Sequence, residues 1–239
     1  AAAAERGMAV LQPDGVDGSW NAGKCCGAAY ADDVDDVAFV AALLDEVGRG
    51  GCIDESRVYA TGLSNGGMMA HRIGCELADR VRAVAPVAAP LHVTECTPAR
   101  PVDVLTIHGT DDPSVPFSGG EGWQPLPLEG ELDFMSADAS LQRWLGLNQC
   151  SPQPQQVRRR GSVGCARCAG AAGNVVERCA VEGGGHTWPG GDPTTVVPLG
   201  IFGEINDDLD ATSYILDFFA RDEGWAEWGS AARPGLFNR

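Results

Sequence analysis

The chain has 239 residues, of which 44% are hydrophobic, enough for one sizeable core. Its formal net charge is −16, with 17 Lys+Arg against 33 Asp+Glu. That balance excludes a nucleic-acid binder and an anionic-membrane binder, because few cations are available to neutralise phosphate.

Met8–Gln12 (MAVLQ) is a short apolar run that stops at a Pro-Asp-Gly turn signal, and it reads as a buried strand. Asp17–Tyr30 is Gly-rich and aromatic and reads as a loop. From Asp32 to Val47, Val34, Val37, Val40, Ala41, Leu44 and Val47 recur at helical spacing. The four aspartates that open this stretch suit a helix N-terminus better than a metal site. Arg57–Thr61 reads as a strand and Gly67–Leu77 as a helix. Val81–Ala88 and Val102–His108 read as further strands, and Ser136–Leu147 as a helix. Ser151–Gly173 is polar, basic and Gly-rich, and reads as a loop. Asn174–Val181 is a strand candidate and Asp210–Arg221 a final amphipathic helix, while the last 18 residues show no period. Strands alternating with helices imply one α/β domain over residues 1–239, with a mainly parallel sheet covered on both faces.

Nine cysteines are many for a reduced compartment, so disulfides and an extracellular setting are expected, with at least one cysteine outside any internal bridge. Cys150–Cys168 is the expected staple of the Ser151–Gly173 excursion. Cys165-Ala-Arg-Cys168 has no second ligand pair to complete a zinc site, so no metal is expected. No signal peptide is visible, and no run approaches the length of a membrane span.

The chemistry is carried by Gly62-Leu-Ser64-Asn-Gly66, placed between a strand and a helix. Glycines flanking the serine allow the strand and helix to approach closely, and the hydroxyl projects beside free helix N–H groups. A lone hydroxyl needs a base and an orienter. "IHGTDDPSVP" follows a strand and offers Asp111 and Asp112, with Asp112 preferred as the acid. "EGGGHTWPGG" follows the last strand and offers His186 as the base. His71, within a helix, and His108, at a strand end, read as packing residues. Trp20, Asn21 and Trp188 sit on loops that border the serine, as substrate contacts or as loop packing. Residues 122–134 are a candidate lid or binding wall.

Taken together, "PDGVDGSWNAGKCCG", "DDVAFVAALLDEV", "IDESRVYATGLSNGGMMAHRI", "IHGTDDPSVPFSGG" and "EGGGHTWPGG" resemble the secreted feruloyl esterase and polyhydroxybutyrate depolymerase-type esterases of the α/β-hydrolase superfamily. The resemblance covers most of residues 8–192. It implies Ser64 as nucleophile, Asp112 as orienting acid, His186 as base, and the Asn65 N–H as one oxyanion donor, with no metal or organic cofactor. Members of that family begin earlier, with a strand ending in His-Gly that supplies the second donor. No such pair precedes "ERGMAVLQPDG", so the chain is expected either to be cut from a longer one or to be a reduced form lacking the N-terminal strands. The implied activity is serine carboxylesterase on feruloyl, acetyl or short-chain polyester bonds, with an ester substrate rather than nucleic acid or membrane as partner. A catalytically weak polysaccharide- or polyester-binding protein and a peptidase on the same fold are the alternatives. The natural ester and the oligomeric state stay open.

Overall fold

The computed structural model describes residues 2–51, 53–124, 128–192 and 201–221. In chain order the elements are α1 (Gly27–Ala31), α2 (Asp36–Arg49), β1 (Tyr59–Leu63), α3 (Asn65–Glu76), β2 (Ala83–Val87), β3 (Asp103–Gly109), β4 (Gly120–Glu121), β5 (Asp133–Phe134), α4 (Ala137–Leu147), β6 (Gln155–Arg160), β7 (Val163–Ala169), β8 (Val175–Val181) and α5 (Ala211–Phe219). Six strands form one sheet in the order β1-β2-β3-β8-β7-β6, and β4 pairs with β5 separately. The run β1-β2-β3-β8 is parallel, and the β6–β7 hairpin adds antiparallel to β8. Helices cover both faces of this α/β sheet, as its alternating strand and helix segments require.

Period-two alternation in β3 sends Val104 to one core and Leu105 and Ile107 to the other. On the first face, Met68, Met69 and Ile73 of α3 and Leu141, Trp144 and Leu145 of α4 pack with Val84 and Val176. On the second, Ile215, Phe218 and Phe219 of α5 pack with Ala85, Leu105, Cys179 and Val181. Each fully buried large apolar side chain contributes about 1.5–3 kcal/mol. Tyr214 of α5 also donates its hydroxyl to the wholly buried Glu177 of β8, which receives Arg167 on its other oxygen. His71 is fully buried: Trp144 donates its indole N–H to Nδ1 at 2.9 Å, and Nε2 faces the Ala89 carbonyl at 3.3 Å. Burial holds its imidazole down at about 3, neutral.

The helix starts follow capping chemistry. Asp35 accepts from the Ala38 N–H at α2, Ser136 from the Ala139 N–H at α4, and Asp210 from the Ser213 N–H at α5. Asp36 does something else: it is buried and accepts the Asn21 N–H at 2.7 Å.

Three expectations are corrected. Met8–Gln12 forms no strand; Met8 packs against the α5-side core while Val10 and Leu11 are exposed. An apolar run becomes a strand only with a partner ladder. Among the described residues β1 pairs with β2 alone. Ser151–Gly173 is no loop but the β6–β7 hairpin, whose edge strand carries Arg158, Arg159 and Arg160. Among the described residues the disulfides are Cys25–Cys26, Cys75–Cys96 and Cys165–Cys179, the last joining register partners of β7 and β8. The expected Cys150–Cys168 bridge is absent: both are free thiols, with the Cys168 sulfur accepting the Ser151 N–H at 3.1 Å. Burial and the Cys168 sulfur push the Cys150 thiol up to about 12. Cys165, Glu177 and Cys179 are the clustered metal-type donors among the described residues, but their two sulfurs are joined to each other. Among those residues no helix is long and apolar enough to cross a membrane. Cys52 and the last 18 residues lie outside the described residues, as do residues 125–127 of the candidate wall.

Candidate active site

Ser64 follows the last residue of β1 and precedes the first of α3. Its backbone sits at φ 57°, ψ −124°, a conformation that costs a non-glycine residue about 1–3 kcal/mol. The corner is held by Ser64 N–H donating to the Val87 carbonyl and Met68 N–H donating to the Ser64 carbonyl. Gly62 is required by close approach: a Cβ there would lie 2.5 Å from the Gly66 carbonyl carbon. The helix-side glycine under pressure is Gly67 rather than the expected Gly66. A Cβ on Gly67 would meet Ala89 Cβ at 2.8 Å, while one on Gly66 meets nothing within 4 Å.

Because β1, β3 and β8 are parallel, Ser64, Asp112 and His186 all leave the sheet at its C-terminal edge. The acid turn after β3 and the base loop after β8 meet backbone to backbone. A Cβ on Gly109 would lie 2.2 Å from the Gly184 carbonyl oxygen, and one on Gly185 would lie 2.2 Å from the Phe202 carbonyl oxygen. The Asp111 N–H donates to Gly184 O at 3.0 Å, and the His186 N–H to Phe202 O at 2.6 Å. The glycine run before His186 is therefore a packing surface that carries the histidine onto the acid turn.

There His186 Nδ1 lies 2.8 Å from Asp112 Oδ2. Nδ1 donates to the carboxylate, which leaves the Nε2 lone pair for proton transfer. Asp112 Oδ1 accepts the N–H groups of Ser114 at 2.9 Å and Val115 at 2.8 Å. Its side chain is fully buried, which alone would raise its pKa; His108, the hydrogen bond and charge of His186 and the Val115 N–H together outweigh that and hold it down at about 2. Asp111 is exposed, its carboxylate receiving the Thr110 hydroxyl at 3.0 Å.

The other sequence candidates divide. The Asn65 side chain clamps the Trp20 peptide reciprocally, Oδ1 accepting the Trp20 N–H at 2.7 Å and Nδ2 donating to the Trp20 carbonyl at 2.9 Å. This brings the Trp20 loop beside the elbow, with the Trp20 ring half-buried and stacked on Phe39 at 6.2 Å. Asn21 is turned inward: buried, its amide donates to Val34 O at 3.1 Å and its side-chain oxygen accepts the Gly23 N–H at 3.3 Å. Trp188 leans on α5, its indole N–H donating to the Thr212 hydroxyl at 3.0 Å. Trp123 of the candidate wall is 48% exposed and donates its N–H to Pro113 O, next to the acid turn. Sequence reasoning passed over two contacts: the amide of Asn65, treated only as a backbone donor, and His108, whose Nε2 is 3.2 Å from Asp112 Oδ2. The spacing of four residues across the His-Gly turn was the available signal for His108.

A mostly parallel sheet wrapped by helices, with a serine on a positive-φ strand-to-helix corner and an Asp–His pair at the same edge, defines the α/β-hydrolase class. No protein-family model matches the chain. It is 35% identical over 196 residues to "Feruloyl esterase B" of Piromyces equi, covering 77% of this chain and 35% of that protein. It is 32% identical over 209 residues to "Putative esterase NocK" of Nocardia uniformis subsp. tsuyamanensis, covering 80% of this chain and 59% of that one. "Feruloyl esterase C" of Emericella nidulans is 37% identical over 87 residues, 36% of this chain and 32% of that protein. The chain thus spans between about a third and three fifths of the length of these esterases, to which it is similar over most of its own length in the first two cases.

Proposed function

We propose that the chain is a secreted serine carboxylesterase acting by acyl transfer, with Ser64 as nucleophile, His186 as general base and Asp112 as the orienting acid. The observation that carries this reading is the buried Asp112–His186 pair at the sheet edge that also bears the Ser64 elbow. In the proposed reaction His186 Nε2 takes the Ser64 hydroxyl proton as Oγ attacks the ester carbonyl. Asp112 keeps the Nδ1 proton in place and stabilises the imidazolium. The Asn65 N–H, at the start of α3, is one donor to the tetrahedral oxyanion. His186 then passes its proton to the leaving alcohol. Water, deprotonated by His186 in its turn, releases the acid and frees Ser64.

Aromatic acyl esters of the feruloyl type are the proposed substrates. The support is the name of the Piromyces relative together with the Trp20 ring tied beside the elbow and Trp123 beside the acid turn. Secretion is supported by the three disulfides. The test compares the chain with Ser64→Ala on p-nitrophenyl acetate, methyl ferulate and a hydroxybutyrate oligomer. Removing such a nucleophile costs up to about a million-fold in kcat. Hydrolysis by Ser64→Ala above a tenth of the parent rate would overturn the assignment, and a preference for the oligomer over the ferulate would overturn the substrate class.

A further inference from the structure

The acid turn carries a contact that a three-residue relay does not require. His108, near the end of β3, is buried at 3% exposure, and its Nε2 lies 2.9 Å from the Val115 carbonyl oxygen. A carbonyl only accepts, so Nε2 carries the proton. That same N–H is 3.2 Å from Asp112 Oδ2. The ring is fixed by its strand, where His108 pairs with Ala180, and by the edge-on Phe117 ring at 5.5 Å. Asp112 is thus held on both oxygens: two backbone N–H groups on Oδ1, and on Oδ2 the His186 Nδ1 with the His108 Nε2 close by at 3.2 Å. Rotating the carboxylate about its Cβ–Cγ bond would break the bond to His186 and carry Oδ2 away from His108.

We infer that His108 is a positioning residue for the proposed reaction: it shares Asp112 Oδ2 with His186 and fixes the plane in which the carboxylate meets the base. This rests on the reading of Asp112 and His186 as acid and base. The sharing has a chemical effect as well as a steric one. A donor near Oδ2 also draws off part of the negative charge of the carboxylate that faces His186 Nδ1. The other ionisable groups near His108 do not compete for this role. His71 of α3 is kept neutral by burial, Arg178 of β8 lies over the Phe117 ring, and Asp111 is exposed beside Thr110.

The experiment measures kcat, KM and the pH dependence of kcat/KM on p-nitrophenyl acetate for the parent chain, His108→Gln, His108→Asn and His108→Phe, with Ser64→Ala alongside. Glutamine places an amide N–H where Nε2 stands; asparagine keeps the polarity but falls short of Asp112; phenylalanine keeps the ring and removes the donor. Phe and Asn are expected to lose about tenfold in kcat with KM within about twofold, and to displace the acid limb of the profile, as loss of one donor to a carboxylate implies. Gln is expected to restore both. If Phe and Asn keep the parent's acid limb and kcat, or if Gln is as impaired as they are, His108 is only a packing residue and the inference falls. Should Phe fail to fold, the Gln–Asn pair decides the same question. A Ser64→Ala chain that still hydrolyses the ester would instead overturn the underlying site reading, whatever the His108 series shows.

Discussion

Replacing Asp112 by Asn tests the centre of the site in two independent ways. The carboxylate accepts three N–H donors and has His108 Nε2 at 3.2 Å, and its pKa is held at about 2 against an ordinary value of 3.8. Burial pushes the other way, so the histidine hydrogen bonds, the His186 charge and the Val115 N–H together supply more than the net shift. A lowered folded-state pKa stabilises the fold above the unfolded value and loses that contribution as pH falls through the folded one. The displacement corresponds to about 2 kcal/mol, present above about pH 4 and lost between roughly pH 4 and pH 2. The Asp112→Asn variant lacks this contribution at every pH, and its amide also presents a donor where a histidine N–H already points. Urea unfolding at steps between about pH 5 and pH 2.5 should show Asp112→Asn less stable at the upper end and the gap closing as acid is added. The rate should fall about 10⁴-fold at neutral pH because the wrong His186 tautomer is favoured, while Asp111→Asn should cost far less. Parallel stability curves for the two proteins would refute the electrostatic argument, and a larger loss of kcat/KM in Asp111→Asn would refute the choice of acid.

Two further outcomes follow from packing. Gly62→Ala should lower Tm by roughly 5–10 °C, since its Cβ would overlap the Gly66 peptide and overpacking costs about 1–3 kcal/mol; Gly66→Ala, with open space at its Cβ, should leave Tm unchanged or raise it, so equal losses in a thermal scan would contradict the geometry. Removing the Cys75–Cys96 bridge, with its separation of 21 residues, by Cys75→Ala/Cys96→Ala should cost about 3 kcal/mol in urea unfolding, and an unchanged midpoint would show that the bridge does not constrain the chain.

Much of the architecture was legible because helices declare themselves locally. α2, α4 and α5 each combine an apolar stripe with an Asp or Ser cap, and all three fall within a few residues of where spacing places them. Strands depend on partners that spacing does not name. Met8–Gln12 is apolar enough for a buried strand but has no ladder, whereas Gln155–Arg160 is polar enough for a loop yet pairs along β7. Residue type and order singled out Ser64, Asp112 and His186 as candidates. What could not be read is how each is held. That Gly67 rather than Gly66 is crowded, that Asn65 spends its amide on Trp20, and that a second histidine reaches Asp112 are facts of three-dimensional approach. Cysteine pairing is of the same kind: Cys165 faces Cys179 because β7 and β8 pair in that register, and density along the chain says nothing of register.

The bare-backbone stack of Gly109, Gly184, Gly185 and Gly203 has a bearing on how this site can change through insertion and deletion. His186 reaches Asp112 only because two main chains lie against each other with no side chain between them, and the Phe202–Gly203 segment closes the stack from the far side. A residue added or lost between Val181 and His186 would shift the imidazole relative to the acid turn, and no neighbouring side chain could repack to absorb it. Insertions between Val181 and His186 should therefore be tolerated poorly. Change could be absorbed on the Trp20 and Trp123 loops instead, while the Asp112–His186 geometry stays locked by main-chain contact.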